Sequence, residues 1–328
     1  MKIFLTGGSG FIGQRLVEKL VADRHEVVLL LRDPAAAGIR KNKAIKVIRG
    51  DLAQRQVLIS GMAGCDLVFH LAAYVKPWSK DPHLPVETNI RGTENVLEAA
   101  LASGIRRVII TSTGGTMGFS VDGKPVDETT NKDPLLYTEY ERTKAGSEKI
   151  ALDYCLKGLE VVILNPTRVF GPGKLSESNS VTKIIRWYLK GLWKIIPGDG
   201  TSVGNYAFID DVVDGFILAA EKGIAGERYI LGGENLSFNE LFMTLGEVSG
   251  KRVRLIHIPI AVLKPLVKFF GLFNRLTGMP PIITEAWLNK YLSNWVISSQ
   301  KAVTRLGYHI TPFKTGAEIT IKWFRSAE

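Results

Sequence analysis

Residues 6–13 read TGGSGFIG, and this run constrains the fold more than any other part of the chain. It follows a short apolar run, KIFL (2–5). After it comes QRLVEKLVADR, in which Leu16, Val17 and Leu20 recur at a helical period. A second apolar run, HEVVLLLR (25–32), is next. Strand, glycine turn, helix, strand is the setting in which such glycines cradle a dinucleotide. Gly7 permits the tight turn, Gly10 lets the backbone approach a pyrophosphate, and Gly13 lets the helix pack against the strand. Free amides at the helix start, helped by the helix dipole, would face the phosphates. Ser9, Phe11 and Ile12 lie on the same turn and are expected to border the ligand.

The alternation continues. AIKVIRGDL (44–52) reads as a strand ending at Asp51 and Leu52. CDLVFHLAA (65–73) reads as another, ending in Leu71, Ala72 and Ala73, small enough for a cofactor to pass close. A helical stretch (89–104), a strand (106–115), a helix (139–158) and a strand running into a proline turn (159–173) follow. This order predicts an α/β fold: a Rossmann-type doubly wound parallel sheet with a smaller C-terminal substrate domain. Ligands of such sheets sit at the carboxyl ends of the strands. The glycine turn, Asp51, HLAA, TSTGG and NPTRVFGPG should therefore line one crevice. Residues 1–166 and 203–230 are assigned to the dinucleotide-binding part. Residues 167–202 and 231–328 are assigned to the substrate-binding part.

Tyr140 and Lys144 in YTEYERTK (137–144) lie four residues apart, on one face of a helix. That spacing alone does not separate a proton-transfer pair from an ordinary helix turn. The ordered set TGGSGFIG, DL, HLAA, TSTGG, YERTK and NPTRVFGPG does more: it resembles the extended short-chain dehydrogenase/reductase (NAD-dependent epimerase/dehydratase) family over nearly the whole chain. Within it, the chain is most similar to the dihydroflavonol reductase and 3β-hydroxysteroid dehydrogenase branch. The resemblance implies that Tyr140 and Lys144 are the catalytic tyrosine and lysine. It implies Thr113 as the catalytic hydroxyl, with Ser112 the alternative. It also implies that Lys144 binds ribose hydroxyls and that Pro166, Thr167 and Val169 border the nicotinamide. A free tyrosine is a poor acid/base at neutral pH, so the Lys144 ammonium and the positive nicotinamide ring are together expected to favour the phenolate. Tyr137, followed four residues on by Glu141, is read as packing or substrate-facing.

A cofactor site that prefers NAD usually has an acidic residue at the end of the second strand. Here Leu31 stands there, followed by Arg32, which can pair with a 2′-phosphate; Arg40, Lys41 and Lys43 add positive field. NADP(H) is therefore expected over NAD(H). The expected activity is an NADP-dependent interconversion of a carbonyl and a secondary alcohol on an apolar small molecule. A nucleotide-sugar epimerase or dehydratase is the alternative, and a non-catalytic NADP-binding sensor a further one. Nucleotide-sugar members of the family usually grip the diphosphate with an arginine where this chain has Gly204, which argues for the reductase branch.

Net charge is +10, from 42 basic against 32 acidic residues. The basic residues are scattered without aromatic interleaving, so no nucleic-acid partner is expected. MKIFLTGG runs straight into a strand, which leaves no room for a signal peptide, and a cytoplasmic protein is expected. Two cysteines are read as reduced thiols. Five histidines without paired cysteine spacing predict no metal site; His70, within an apolar strand, reads as a satisfied core residue and Asp211 as a helix cap. The family resemblance implies a homodimer through helices near 89–102 and 140–157. In residues 260–278, Lys264, Lys268, Gly271 and Arg275 share a narrow helical face and most other positions are apolar. Such a helix could be buried between two domains, cap an apolar pocket, or lie on a membrane surface. Trp78 and Trp187 are candidates for the pocket wall.

Overall fold

The central strands are runs of Val, Ile and Leu without polar alternation, as strands buried on both faces require. The computed structural model describes residues 1–35, 38–39, 42–76, 78–130, 133–277, 279 and 284–327. β1 (Lys2–Thr6), α1 (Phe11–Ala22), β2 (Glu26–Leu31), β3 (Ile45–Arg49), α2 (Arg55–Met62) and β4 (Leu67–His70) follow in order. A single turn, α3 (Leu84–Val86), passes through a π-helical turn at Glu87–Arg91 into α4 (Gly92–Ala102). β5 (Arg107–Thr111), α5 (Glu139–Leu156) and β6 (Glu160–Pro166) come next. They are followed by β7 (Arg168–Phe170), α6 (Ser180–Leu189), β8 (Ile195–Pro197), β9 (Val203–Phe208), α7 (Ile209–Lys222) and β10 (Arg228–Leu231).

Seven strands pair in the order β10-β6-β5-β4-β1-β2-β3, all parallel. Helices cover both faces. Leu16 and Val17 of α1 share one core with Val212 and Phe216 of α7. Leu58 of α2, Val96 and Leu97 of α4 and Ala151 of α5 share the other. The fold is thus the Rossmann-type doubly wound sheet read from the sequence. The strand order reverses between β1 and β4, so the loops after these two strands diverge and leave a crevice at their carboxyl ends.

The remaining chain adds β11 (Glu234–Ser237), α8 (Phe238–Ser249), β12 (Ile256–Ile258), α9 (Ile260–Thr277), α10 (Glu285–Leu292), α11 (Gln300–Leu306) and α12 (Phe313–Ala327). β9 lies outside the large sheet and pairs with β7 and β11, while β8 pairs with β12. Ala302 and Leu306 of α11 and Phe313 and Ala317 of α12 pack into the same core as β1 and α1. Asp211 does not cap α7, as its place in the sequence suggested. The N-cap is Phe208, without a side-chain cap. The Asp211 carboxylate instead accepts hydrogen bonds from the Thr311 amide (2.6 Å) and hydroxyl (2.7 Å), which ties α7 to the C-terminal segment.

Among the described residues, no helix is long and apolar enough to cross a membrane. α9 is not buried between two domains, and among the described residues it carries none that lines the central cavity. Those two of its three readings are corrected: Val262, Leu266, Phe269, Leu272, Phe273 and Leu276 are exposed.

Candidate active site

The β1–α1 turn is built by two glycines. Gly7 has φ +77°, and a Cβ there would lie 2.5 Å from the Ala72 amide nitrogen after β4. A Cβ on Gly13 would lie 2.2 Å from the Gly7 carbonyl oxygen. Both positions exclude any side chain, so α1 starts against the crevice with its backbone open. No side chain caps α1 and no acidic residue lies in its first turn. This end of the helix fits an anionic pyrophosphate.

A cavity of about 700 Å³ opens from this turn. Gly7, Ser9, Gly10, Phe11, Ile12, Gly13, Arg32, Asp51, Leu52 and the Leu71–Ala73 segment line it. So do Ser112, Thr113, Tyr140, Pro166, Thr167 and Val169. Of the residues expected at the site, Lys144 alone does not line it. It is buried on the inner side of α5. Arg32 is largely exposed and stands 3.9 Å from the Asp51 carboxylate. Lys43 is exposed; Arg40 and Lys41 lie outside the described residues. Trp78 and Trp187 are not in the cavity wall. Trp187 stacks on Trp193 at 5.9 Å, and the tryptophan facing the cavity is Trp287 of α10.

α5 starts with a capping box. Thr138 Oγ1 accepts from the Glu141 amide (3.2 Å), and the Glu141 carboxylate accepts from the Thr138 amide (3.0 Å). This fixes the helix start, and with it the turn that carries Tyr140 and Lys144. Glu141 is wholly buried, and its Oε1 forms an ion pair of 2.6 Å with Lys290 of α10.

Burial, and then the neighbouring Glu141 charge, push the Tyr140 hydroxyl above its usual range; hydrogen bonding to Thr113 opposes this. Burial pushes the Lys144 ammonium down to about 8, opposed by Glu148. Burial and the Glu141 charge thus work against the phenolate that the sequence leads one to expect.

Ser112 and Thr113 separate clearly. The Ser112 hydroxyl donates to Glu148 Oε1, which also accepts from Thr116 Oγ1 (2.8 Å) and Asn165 Nδ2 (2.8 Å). Arg228 stands 3.5 Å from the other oxygen. Ser112 is thus held in a buried carboxylate network. Thr113 Oγ1 accepts from the Gly115 amide (3.2 Å) and is hydrogen-bonded to Tyr140. His70 is satisfied as expected: its ring nitrogens meet Thr6 Oγ1 (2.7 Å) and Thr93 Oγ1 (3.1 Å), and burial, then Lys144, push its pKa down to about 3. Tyr137 packs, stacked on Phe119 at 5.3 Å.

Sequence reading missed the far wall, where Arg168, Trp287, Lys290 and Tyr291 line the cavity. The Arg168 guanidinium lies between the Tyr206 and Tyr291 rings, at 5.6 and 5.5 Å. A Cβ on Gly204 would meet its Nη1 at 2.4 Å. The β7–β9 pairing that brings Arg168 beside Gly204 leaves no local sequence signal. The capping box at Thr138 and Glu141 was legible as T-x-x-E.

A dinucleotide-type cradle with a threonine, a tyrosine and a lysine beside it defines a class of nicotinamide-type α/β proteins, and the comparisons agree. The model of the NAD dependent epimerase/dehydratase family matches residues 3–232, and the chain belongs to that family. It is 30% identical to the sterol demethylase protein B of Methylococcus capsulatus, over 99% of this chain and 98% of that one. It is 29% identical to a putative dihydroflavonol 4-reductase of Synechocystis, over 98% and 94%. Among solved structures, it is similar to the UDP-glucose 4-epimerase of Thermotoga maritima with UDP-glucose. The TM-score is 0.82 at 25% identity, covering 100% of this chain and 99% of that one. The UDP-glucose 4-epimerase of Thermus thermophilus in complex with NAD has a TM-score of 0.80 at 28% identity, covering 100% of both chains.

Proposed function

We propose that this protein is an NADP(H)-dependent oxidoreductase that interconverts a carbonyl and a secondary alcohol on a largely apolar small molecule. The observation that carries the reading is Tyr140 beside its hydrogen-bonding neighbour Thr113, at the wall of a cavity that begins at the glycine turn. Gly7, Gly10 and Gly13 would hold the pyrophosphate, Asp51 and Arg32 the adenosine end, and Pro166, Thr167 and Val169 the nicotinamide end. The cofactor, when bound, supplies the hydride. Thr113 holds the substrate oxygen, and Tyr140 donates its O–H proton to that oxygen as the carbonyl carbon becomes C–H. Lys144, one turn along α5 and buried behind the cavity wall, would hold the ribose hydroxyls by the family resemblance. The Ser112–Glu148–Asn165 network holds the β5 end rigid. Relatives named for a sterol demethylase component and for a farnesyl-dihydroquinoline ketoreductase of Stigmatella aurantiaca, 31% identical, support an apolar substrate. A cytoplasmic homodimer is part of the same proposal, and the exposed Leu101, Leu152 and Leu156 on α4 and α5 support it.

The test is NADPH oxidation against a panel of bulky apolar ketones, beside short polar ones. Turnover of neither, with NADPH bound, would leave the sensor reading instead. Arg32 carries the cofactor preference. Arg32→Ala is expected to raise the Michaelis constant for NADPH by roughly tenfold to a hundredfold, the worth of one hydrogen bond to a charged group, with little change for NADH. Equal constants for the two cofactors in the wild type would refute the NADP assignment.

A second reading is favoured by Arg168. Gly204 lacks the arginine that nucleotide-sugar enzymes of the family carry, yet the Arg168 guanidinium fills the space over Gly204 from the neighbouring strand. Its Nη2 is buried without a partner among the described residues. A diphosphate would satisfy it. Calorimetric titration with UDP-glucose in the presence of cofactor separates the readings. Micromolar binding that is lost in Arg168→Leu would favour an epimerase or dehydratase; no binding favours the reductase.

A further inference from the structure

We infer that α9 docks this protein on an anionic lipid surface. Three faces run along the helix. Leu263, Val267 and Phe270 are buried or half-buried and face the protein. Val262, Leu266, Phe269, Phe273 and Leu276 follow one another at spacings of four, three, four and three, and so form one continuous stripe. Every one of them is exposed, Phe269 by 61% and Leu276 by 78%. Lys264 and Lys268 are exposed on the sector beyond this stripe, and no ion pair holds either among the described residues. An aqueous surface helix has no use for an apolar stripe on its outer side.

Charge identifies what covers it. From residue 248 to residue 284 the sequence has no aspartate or glutamate, but it has Lys251, Arg252, Arg254, Lys264, Lys268 and Arg275. Two copies pressed together through this stripe would bring like-charged lysines together with no acid in the segment to pair them. A bilayer with acidic head groups accepts both features: the apolar stripe enters the acyl boundary and the lysines meet the phosphates. The helix lies on the surface, since no described helix is long and apolar enough to cross it. α10 packs on α9 and contributes Trp287, Lys290 and Tyr291 to the cavity wall. The docked face therefore lies next to the cavity, which suits a substrate that partitions into lipid.

The test is flotation of the full chain with phosphatidylcholine vesicles, with and without phosphatidylglycerol. The wild type should float with the phosphatidylglycerol vesicles at least about tenfold better than with phosphatidylcholine alone, a modest demand on two lysines at the surface. Phe269→Glu with Phe273→Glu should abolish flotation, and Lys264→Glu with Lys268→Glu should remove the preference for the acidic vesicles. Both substitution pairs are at exposed positions, and an unchanged melting shift with NADP⁺ verifies folding. If the wild type stays in solution, or the phenylalanine variant floats equally well, the inference is wrong. If instead the wild type is a dimer that Phe269→Glu dissociates, the stripe is an interface between copies and the lipid assignment falls.

Discussion

Tyr140→Phe should lower turnover by about 10²–10⁴-fold, the usual contribution of a positioned general acid, and leave NADPH binding close to that of the wild type. The removed atom is the hydroxyl that faces Thr113, and the ring remains to fill the same wall. Burial and the Glu141 charge hold that hydroxyl protonated, so it is poised to donate rather than to accept. The measurement is steady-state NADPH oxidation with an accepted ketone, beside a fluorescence titration of NADPH. Activity within threefold or so of the wild type would remove Tyr140 from the mechanism.

Lys144→Met should remove activity and at the same time make the protein more stable. The ammonium is buried, and its pKa falls from 10.5 to about 8. A base whose folded-state pKa is depressed opposes folding at every pH where the unfolded chain still holds the proton. The cost is complete below about 8 and is relieved as pH rises toward 10.5. That depression is worth on the order of a few kcal/mol. Wild-type stability should thus rise between pH 8 and 10.5. Lys144→Met should melt several degrees higher at pH 7, an advantage that fades by pH 10.5. NADP⁺ affinity should fall, because the ribose loses its cation. Urea midpoints at pH 7, 9 and 10.5 measure the first part and a cofactor titration the second. A variant less stable than the wild type at pH 7 would show that the Glu148 charge and packing hold Lys144 more strongly than burial opposes it.

The site was legible to different depths. The glycines of the β1–α1 turn could be assigned because their reason is local: Gly7 and Gly13 leave no room for a Cβ. Thr113 was separable from Ser112 only once Glu148 and Asn165, from α5 and β6, were seen to hold the serine. The spacing of Tyr140 and Lys144 was visible, but their charge states were not. Desolvation depends on every element packed over α5, and it works against the phenolate. Trp78 and Trp187 were chosen as bulky residues near the right segments; Trp287 takes the wall because α10 folds back over the cavity.

What the sequence alone determined is the set of features whose causes lie within one strand, turn or helix. These are the alternation that builds the parallel sheet, the glycine cradle, the capping box that starts α5, and the heptad-like spacing on α9. The tertiary structure alone decided which residues share a surface. It placed Arg168 over Gly204 through the β7–β9 pairing, turned Asp211 from a cap into the partner of Thr311, and left the α9 stripe facing outward. The physical reason is range. Backbone sterics and side-chain periodicity act over a few residues. Burial, desolvation and the meeting of charges depend on segments far apart in the chain, and exist only once those segments pack.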